Sequence, residues 1–280
     1  MAFEFEDKLN KEKNNLMVVD ALNLAFRWKH SGKLKFVDDY VQTVHSLANS
    51  YGAGRVIVTA DQGSSSYRKD IYPDYKANRK AKFAEQTEEE KEAFNKFFEE
   101  YERTLEELGK YYPVLRFKNV EADDIVAYIV QNRHKMQYKS DHTWLISSDR
   151  DWDLLISDKV SRFSYVTRKE ITLENWSEHY KVPVESYIST KVLEGDKGDN
   201  ILGIPGIGPV KANQLIEQYG SAYDVYDAIP IASKYKYIQS LNLYADRILL
   251  NYQLMDLITY SEEAIGKDNA LEVLAVLENM

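Results

Sequence analysis

Four short apolar runs, each followed within a few residues by an acid, most limit what this chain can fold into. Leu16-Met17-Val18-Val19 ends at Asp20, and Val56-Ile57-Val58 is followed by Asp61. Val114 to Phe117 leads to Glu121, and Thr143 to Ile146 leads to Asp149 and Asp151. Short, mainly apolar runs of this kind suit buried strands. Helical stretches alternate with them. Val37, Tyr40, Val41, Val44, Leu47 and Ala48 recur at helical spacing before Gly52 and Gly54 break the pattern. This order predicts an α/β fold with a mostly parallel sheet. Ligands of open α/β sheets bind beyond the carboxyl ends of the strands. Asp20, Asp61, Glu121, Asp123, Asp124, Asp149 and Asp151 are therefore expected along one edge.

The densest of these groups is Val120-Glu121-Ala122-Asp123-Asp124, which runs straight into the apolar Ile125 to Val130. At an effective dielectric of about 20, two unit charges roughly 4 Å apart repel by about 4 kcal/mol. Such a group persists if its acids splay into water, if some protonate, or if a cation sits among them. Acids in the first turn of a helix explain the cluster taken alone. Acid at several strand ends favours a metal site. A calcium loop is excluded at Asp149-Arg150-Asp151-Trp152-Asp153, because its sixth and twelfth positions are Leu154 and Val160 rather than Gly and Glu. A phosphatase D-x-D is excluded at Asp20 by Leu22. With no Cys and no His cluster, an all-oxygen donor set favours Mg²⁺ or Mn²⁺ over zinc. The number of acids suits two such ions.

Two further stretches carry charge or glycine in a functional pattern. Between Tyr67 and Lys82, Arg68, Lys69, Lys76, Arg79, Lys80 and Lys82 outnumber Asp70 and Asp74, with Tyr67, Tyr72 and Tyr75 interleaved. Rings that stack on bases and cations that hold phosphates match a single-strand path. The stretch from Glu85 to Glu107 is acid-rich, yet Phe94, Phe97, Phe98, Tyr101, Leu105 and Leu108 give it an apolar helical face. Together they read as a basic-aromatic loop and a long helix inserted at about 67–108. A short strand or hairpin is expected from Ser161 to Ile171. After Val182-Pro183 the texture becomes helix-loop-helix, which places a domain boundary near residue 185, with residues 1–185 before it and 186–280 after. There Gly203-Ile204-Pro205-Gly206-Ile207-Gly208-Pro209-Val210-Lys211 looks like a hairpin between helices. Gly206 and Gly208 let backbone N–H groups approach a phosphate, and Lys211 adds a contact.

The formal net charge of −9 argues at first against a nucleic-acid partner. That charge is an average over the chain, and a metal-binding acidic centre is compatible with a basic surface beneath it. The absence of Cys excludes a disulfide scaffold and a thiol nucleophile. Met1 to Asn15 has no apolar core of signal-peptide type, and no run approaches a membrane span. A cytoplasmic monomer is expected.

The ordered set V-V-D-A-L-N-L-A-F-R (18–27), Y-P-D-Y-K-A-N-R (72–79), V-E-A-D-D (120–124), S-S-D-R-D-W-D (147–153), G-D-K-G-D-N (195–200) and G-I-P-G-I-G-P-V-K (203–211) resembles the 5′-nuclease superfamily. That superfamily holds flap endonucleases and 5′→3′ exonucleases, and the chain looks closest to the free-standing bacteriophage 5′→3′ exonucleases. The resemblance implies a twisted PIN-like sheet, a helical arch, and a helix-three-turn-helix gripping duplex DNA, with K⁺ at the 203–211 hairpin. It implies a first metal on Asp61, Glu121, Asp123 and Asp124 with Asp20 behind through water, and a second on Asp149, Asp151, Asp196 and Asp199. Lys76 and Arg79 would neutralise the scissile phosphate, Tyr75 would stack on a base, and Arg27 and Lys191 would contact phosphates. The implied substrate is branched or nicked DNA with a 5′ end or flap. Three departures stand out: Val210 ahead of Lys211, Ala21 after Asp20, and an extra acid, Glu194.

Overall fold

A computed structural model describes residues 14–280, and every side chain in that range but Lys80. The signal-peptide reading of the N-terminus lies almost wholly outside these residues, as does the Lys80 part of the basic run.

The chain starts with β1 (Asn15–Asp20) and α1 (Ala21–Ser31). It continues through α2 (Val37–Ser50), β2 (Ala53–Thr59), α3 (Ser66–Ile71), α4 (Ala77–Ala84) and α5 (Glu88–Leu108). β3 (Val114–Leu115), α6 (Ala122–Asn132) and β4 (Thr143–Ile146) follow, then β5 (Val160–Ser164), β6 (Lys169–Ile171) and α7 (Trp176–His179). The remainder is α8 (Tyr187–Glu194), β7 (Gly195–Asp196), β8 (Ile201–Leu202), α9 (Pro209–Tyr219) and α10 (Ala222–Asp227), then α11 (Lys236–Leu243), α12 (Asp246–Met255), α13 (Leu257–Ile265) and α14 (Lys267–Glu278).

The main sheet has the order β3-β2-β1-β4-β5-β6. Strands β1 to β5 pair in parallel and β6 runs antiparallel on β5. β1 lies at the centre, and Leu16 to Val19 are fully buried. Alternate side chains of a strand point to opposite faces. Leu16 and Val18 accordingly join the core under α6, α13 and α14, whereas Met17 and Val19 join the core under α1, α2 and α5. This two-sided burial explains why the strand reads as a continuous apolar run. A separate core, with Val192, Leu193, Ile204, Ala212, Leu215, Val225 and Ile248, unites α8 to α12.

Several segments differ from the sequence expectation. α1 is an unanticipated helix, although Asp20 caps it, Leu24, Ala25 and Trp28 form its buried face, and Gly32 ends it. The basic-aromatic segment is not a loop. Ser65 caps α3 by accepting from Arg68 N, and α4 begins at Lys76 in left-handed conformation. α5 begins later than Glu85, at a capping box in which Thr87 and Glu90 exchange hydrogen bonds. β3 is two residues long rather than four.

Backbone crosses backbone very closely where α8 gives way to β7. A Cβ on Gly203 would lie 2.0 Å from the Glu194 carbonyl oxygen. Gly203→Ala is expected to destabilise the protein by at least about 2 kcal/mol, because backbone rather than a flexible side chain must shift. A fall in the urea midpoint with an unchanged slope is the expected reading.

Candidate active site

The carboxyl ends of β1, β2 and β4 and the start of α6 bring the predicted acids to one edge of the sheet. Asp20 ends β1 and caps α1, accepting from Asn23 N at 3.2 Å and from Ser147 Oγ at 2.7 Å. Burial, with the Asp61 charge behind it, pushes its carboxyl up to about 8. Asp61 follows β2 and accepts from Ala122 N at 2.6 Å. Burial raises its carboxyl, and Glu121 adds to the effect. Asp123 accepts from Trp152 Nε1 at 2.7 Å and is driven well above the usual carboxylate range by burial and by Asp149 and Asp61. Asp149 is raised by burial and by Asp151, even though its own residue surface faces solvent. These acids therefore form one electrostatic unit that is short of positive charge.

Basic side chains of the same chain supply part of that charge. Lys76 Nζ donates to Glu121 Oε1 at 2.8 Å and lies 3.5 Å from Asp199 Oδ2. Burial favours protonation of Glu121, but Lys76 and Arg68 outweigh it and hold the carboxyl below its ordinary value. Arg79 Nη2 donates to Asp199 Oδ1 at 2.6 Å, and Lys191 Nζ donates to Asp151 Oδ1 at 2.5 Å. Asp196 caps its own turn through Gly198 N and Asp199 N. Among the described residues, no three acids or imidazoles close on a single point as ligands. The chain's own cations stand between them instead.

Two of the expected residues are held by other groups of the chain. Asp124 shares Arg68 with Glu121, whose Oε2 lies 3.6 Å from Arg68 Nη1. It is 1 % exposed, and both its oxygens sit in the Arg68 guanidinium fork at 2.7 and 2.8 Å. Burial pushes the Asp124 carboxyl up, but two bonds from a guanidinium that does not release its proton keep it ionised. Arg68 Nε also donates to Leu254 O at 2.8 Å, so the pair ties α3 to α6 and α12. Tyr75 is enclosed as well. It is 3 % exposed, packs with Ile201, Leu254 and Met255, and donates toward Glu121 Oε2 at 2.8 Å and Asp199 Oδ2 at 3.0 Å. Arg68 appeared in the sequence only as one cation in a basic run. Replacing it by Met is expected to cost about 3–5 kcal/mol by stranding Asp124, read as a loss in urea-unfolding stability.

The acids open onto two cavities. One, of about 780 Å³, is lined by Asp149, Asp151, Lys191, Asp196 and the unassigned Glu194, and by Pro209 and Val210 at the start of α9. The other, of about 250 Å³, is lined by Asp61, Glu121, Tyr75, Lys76 and Arg79 at the foot of the arch segment. A third, small cavity is lined by Asp123, Asp151, Asp196 and Asp199, with Arg68, Tyr75 and Leu254. Gly206 is exposed and left-handed, and Gly208 caps the start of α9. Lys211 folds back, donating to Gly206 O at 2.8 Å over the Tyr237 ring. Arg27 is exposed and lies over the rings of Trp28 and Tyr165, away from any acid partner among the described ion pairs.

The chain is similar to known proteins in sequence and fold. The family descriptions "5′-3′ exonuclease, N-terminal resolvase-like domain" and "5′-3′ exonuclease, C-terminal SAM fold" match residues 15–181 and 182–273. The flap endonuclease of Escherichia phage T5 is 44% identical over 265 residues, spanning 94% of this chain and 90% of that protein. A T5 5′-exonuclease structure with bound divalent metal ions (zinc) superposes with a TM-score of 0.89 at 43% identity, covering 94% of this chain and 98% of the other. A bacteriophage T5 flap endonuclease in a pseudo-enzyme-product complex with DNA and metal ions gives 0.88 at 42%, covering 94% and 99%.

Proposed function

The chain belongs to the 5′-3′ exonuclease and flap endonuclease family, and from that premise we propose a Mg²⁺-dependent 5′ nuclease that cuts DNA at 5′ ends, flaps and single-strand/duplex junctions. The observation that carries the reading is the convergence of Asp20, Asp61, Asp123 and Asp149, which come from separate elements and stand at one edge of the sheet; burial and neighbouring acids raise each carboxyl. Divalent cations relieve such crowding, and oxygen donors suit Mg²⁺ or Mn²⁺. Asp61, Glu121 and Asp123, with Asp20 behind, would hold one ion. Asp149, Asp151, Asp196 and Asp199 would hold another. Bound there, the ions would supply a hydroxide-like nucleophile and charge for both the attacking and the leaving oxygen.

The chain's own groups do the rest. Lys76 and Arg79 stand at the cleft beside Glu121 and Asp199, where a phosphodiester arriving from solvent would meet them first. The N-terminal turn of α9 and the exposed Gly206 would hold backbone phosphates of the duplex without reading sequence. Lys211 Nζ on the Gly206 carbonyl places a monovalent cation on this loop, the chemistry a K⁺ at the hairpin would share. All these groups lie on one chain, so the reading takes a monomer as the working unit. Among the described residues no helix is long and apolar enough to cross a membrane, and a cytoplasmic site of action is part of the same proposal.

The test is a panel of end-labelled 5′-flap, nicked and single-stranded DNA, with an RNA flap beside them, in Mg²⁺ and in chelator. Cleavage of the DNA flap near the junction, abolished by chelator, is expected. Binding without cleavage would point to a silent DNA-binding module, and preference for the RNA flap to a ribonuclease.

A further inference from the structure

We propose that Ser147, clamped by the buried Arg162–Asp153 pair, is the positioning residue that fixes the acid of β1 to the acids that follow β4. The inference rests on the proposed function of the site.

Ser147 is 1 % exposed, and its hydroxyl does two jobs at once. It donates to Asp20 Oδ2 at 2.7 Å and accepts from Asp149 N at 3.0 Å. Asp20 and Asp149 are assigned to different metal positions, so this one oxygen sets their separation. The backbone of Ser147 is fixed as well: its N–H donates to Phe163 O at 3.2 Å, and its carbonyl accepts from Arg162 Nη1 at 2.8 Å. Arg162 lies on β5, directly across from Leu145. Its remaining donors grip Asp153, Nε to Oδ1 at 2.5 Å and Nη2 to Oδ2 at 2.9 Å, and Tyr180 Oη donates to the same carboxylate. A buried ion pair gains little stability over a well-packed apolar pair. What this pair provides beyond its own bonds is a fixed carbonyl at Ser147. A parallel tie runs beside it, from Asn23 Oδ1 in the first turn of α1 to Ser148 N at 2.8 Å. Neighbours that orient metal-holding side chains typically change metal affinity or activity by about 10–100-fold when removed.

The test uses the full chain on a 5′-flap DNA. Ser147→Ala is expected to lower kcat by about 10–100-fold and to raise the Mg²⁺ concentration needed for half-maximal rate. KM and DNA affinity measured in Ca²⁺ should stay within about twofold, the mark of lost positioning rather than lost binding. Ser147→Thr, which keeps the hydroxyl, should restore most of the rate. Parent-like kcat and Mg²⁺ demand in Ser147→Ala overturns the inference, as does a Thr variant no better than Ala. If Ser147→Ala does not fold, Ser147→Cys, close in volume but a weak hydrogen-bonding group, decides: an unchanged Mg²⁺ demand overturns the inference. Asp149→Asn run in the same assay separates the two levels. If it too cleaves normally, the reading of the site fails, not only the role of Ser147.

Discussion

Asp123→Asn is expected to cut Mg²⁺-supported cleavage of a 5′-flap substrate by at least about a thousandfold, in line with losing part of a metal-held charge array. The same change is expected to make the metal-free protein more stable. Asp123 is buried against Asp149, Asp61 and Asp151, and each of these charges disfavours its ionised form. Asn keeps an oxygen for the Trp152 N–H and brings no charge. The sign follows from linkage. A carboxyl whose folded pKa is raised costs nothing below its unfolded value, and its penalty grows as pH rises toward the folded value. For Asp20 that window runs from 3.8 to about 8, and Asp123 shifts in the same direction. Metal-free parent protein should therefore lose melting temperature as pH rises from about 5 to 8. Asp123→Asn should lose less and gain about 1–2 kcal/mol at pH 8. A variant that is both inactive and less stable at pH 8 would show that Asp123 serves the fold rather than a cation.

Lys76→Ala should slow cleavage by about 10²–10³-fold while DNA affinity in Ca²⁺ falls by no more than about threefold. The ammonium sits 2.8 Å from Glu121 at the cleft mouth, and burial, which opposes its charge, is outweighed by Glu121 and Asp199. It is therefore charged and pre-placed, able to meet negative charge that develops on a phosphate. Binding draws on many phosphate contacts, of which this is one. Equal losses in rate and affinity would make Lys76 a binding residue only. Lys76→Arg should recover affinity more fully than rate, because a planar fork does not occupy the position of a point charge.

The acids were legible because each follows an apolar run, and a strand's end fixes where the next side chain lies. Asp20, Asp61, Asp123 and Asp149 meet for that reason. The ion pair of Asp124 was not legible, because its partner Arg68 lies 56 positions away, a separation that carries no spacing signal. The enclosure of Tyr75 was hidden in the same way. Its motif places it beside Lys76, but its burial depends on Leu254 and Met255 from the far end of the chain. α1 was not legible as a helix because Asp20, its cap, reads in the sequence as a strand-end acid. Ser147 stood inside a recognised motif, yet only the fold brings its hydroxyl between Asp20 and Asp149.

The most direct measurement is calorimetric titration of the full chain with Mn²⁺ at pH 6 and at pH 8, with Asp123→Asn beside it. Metal binding to protonated acids releases protons. The account predicts two binding events on the parent protein, tighter at pH 8 than at pH 6, with proton release shown by the dependence of the heat on buffer, and at least one event lost in Asp123→Asn. Binding that is equally weak at both pH values and unchanged by Asp123→Asn would contradict a metal centre at these carboxylates.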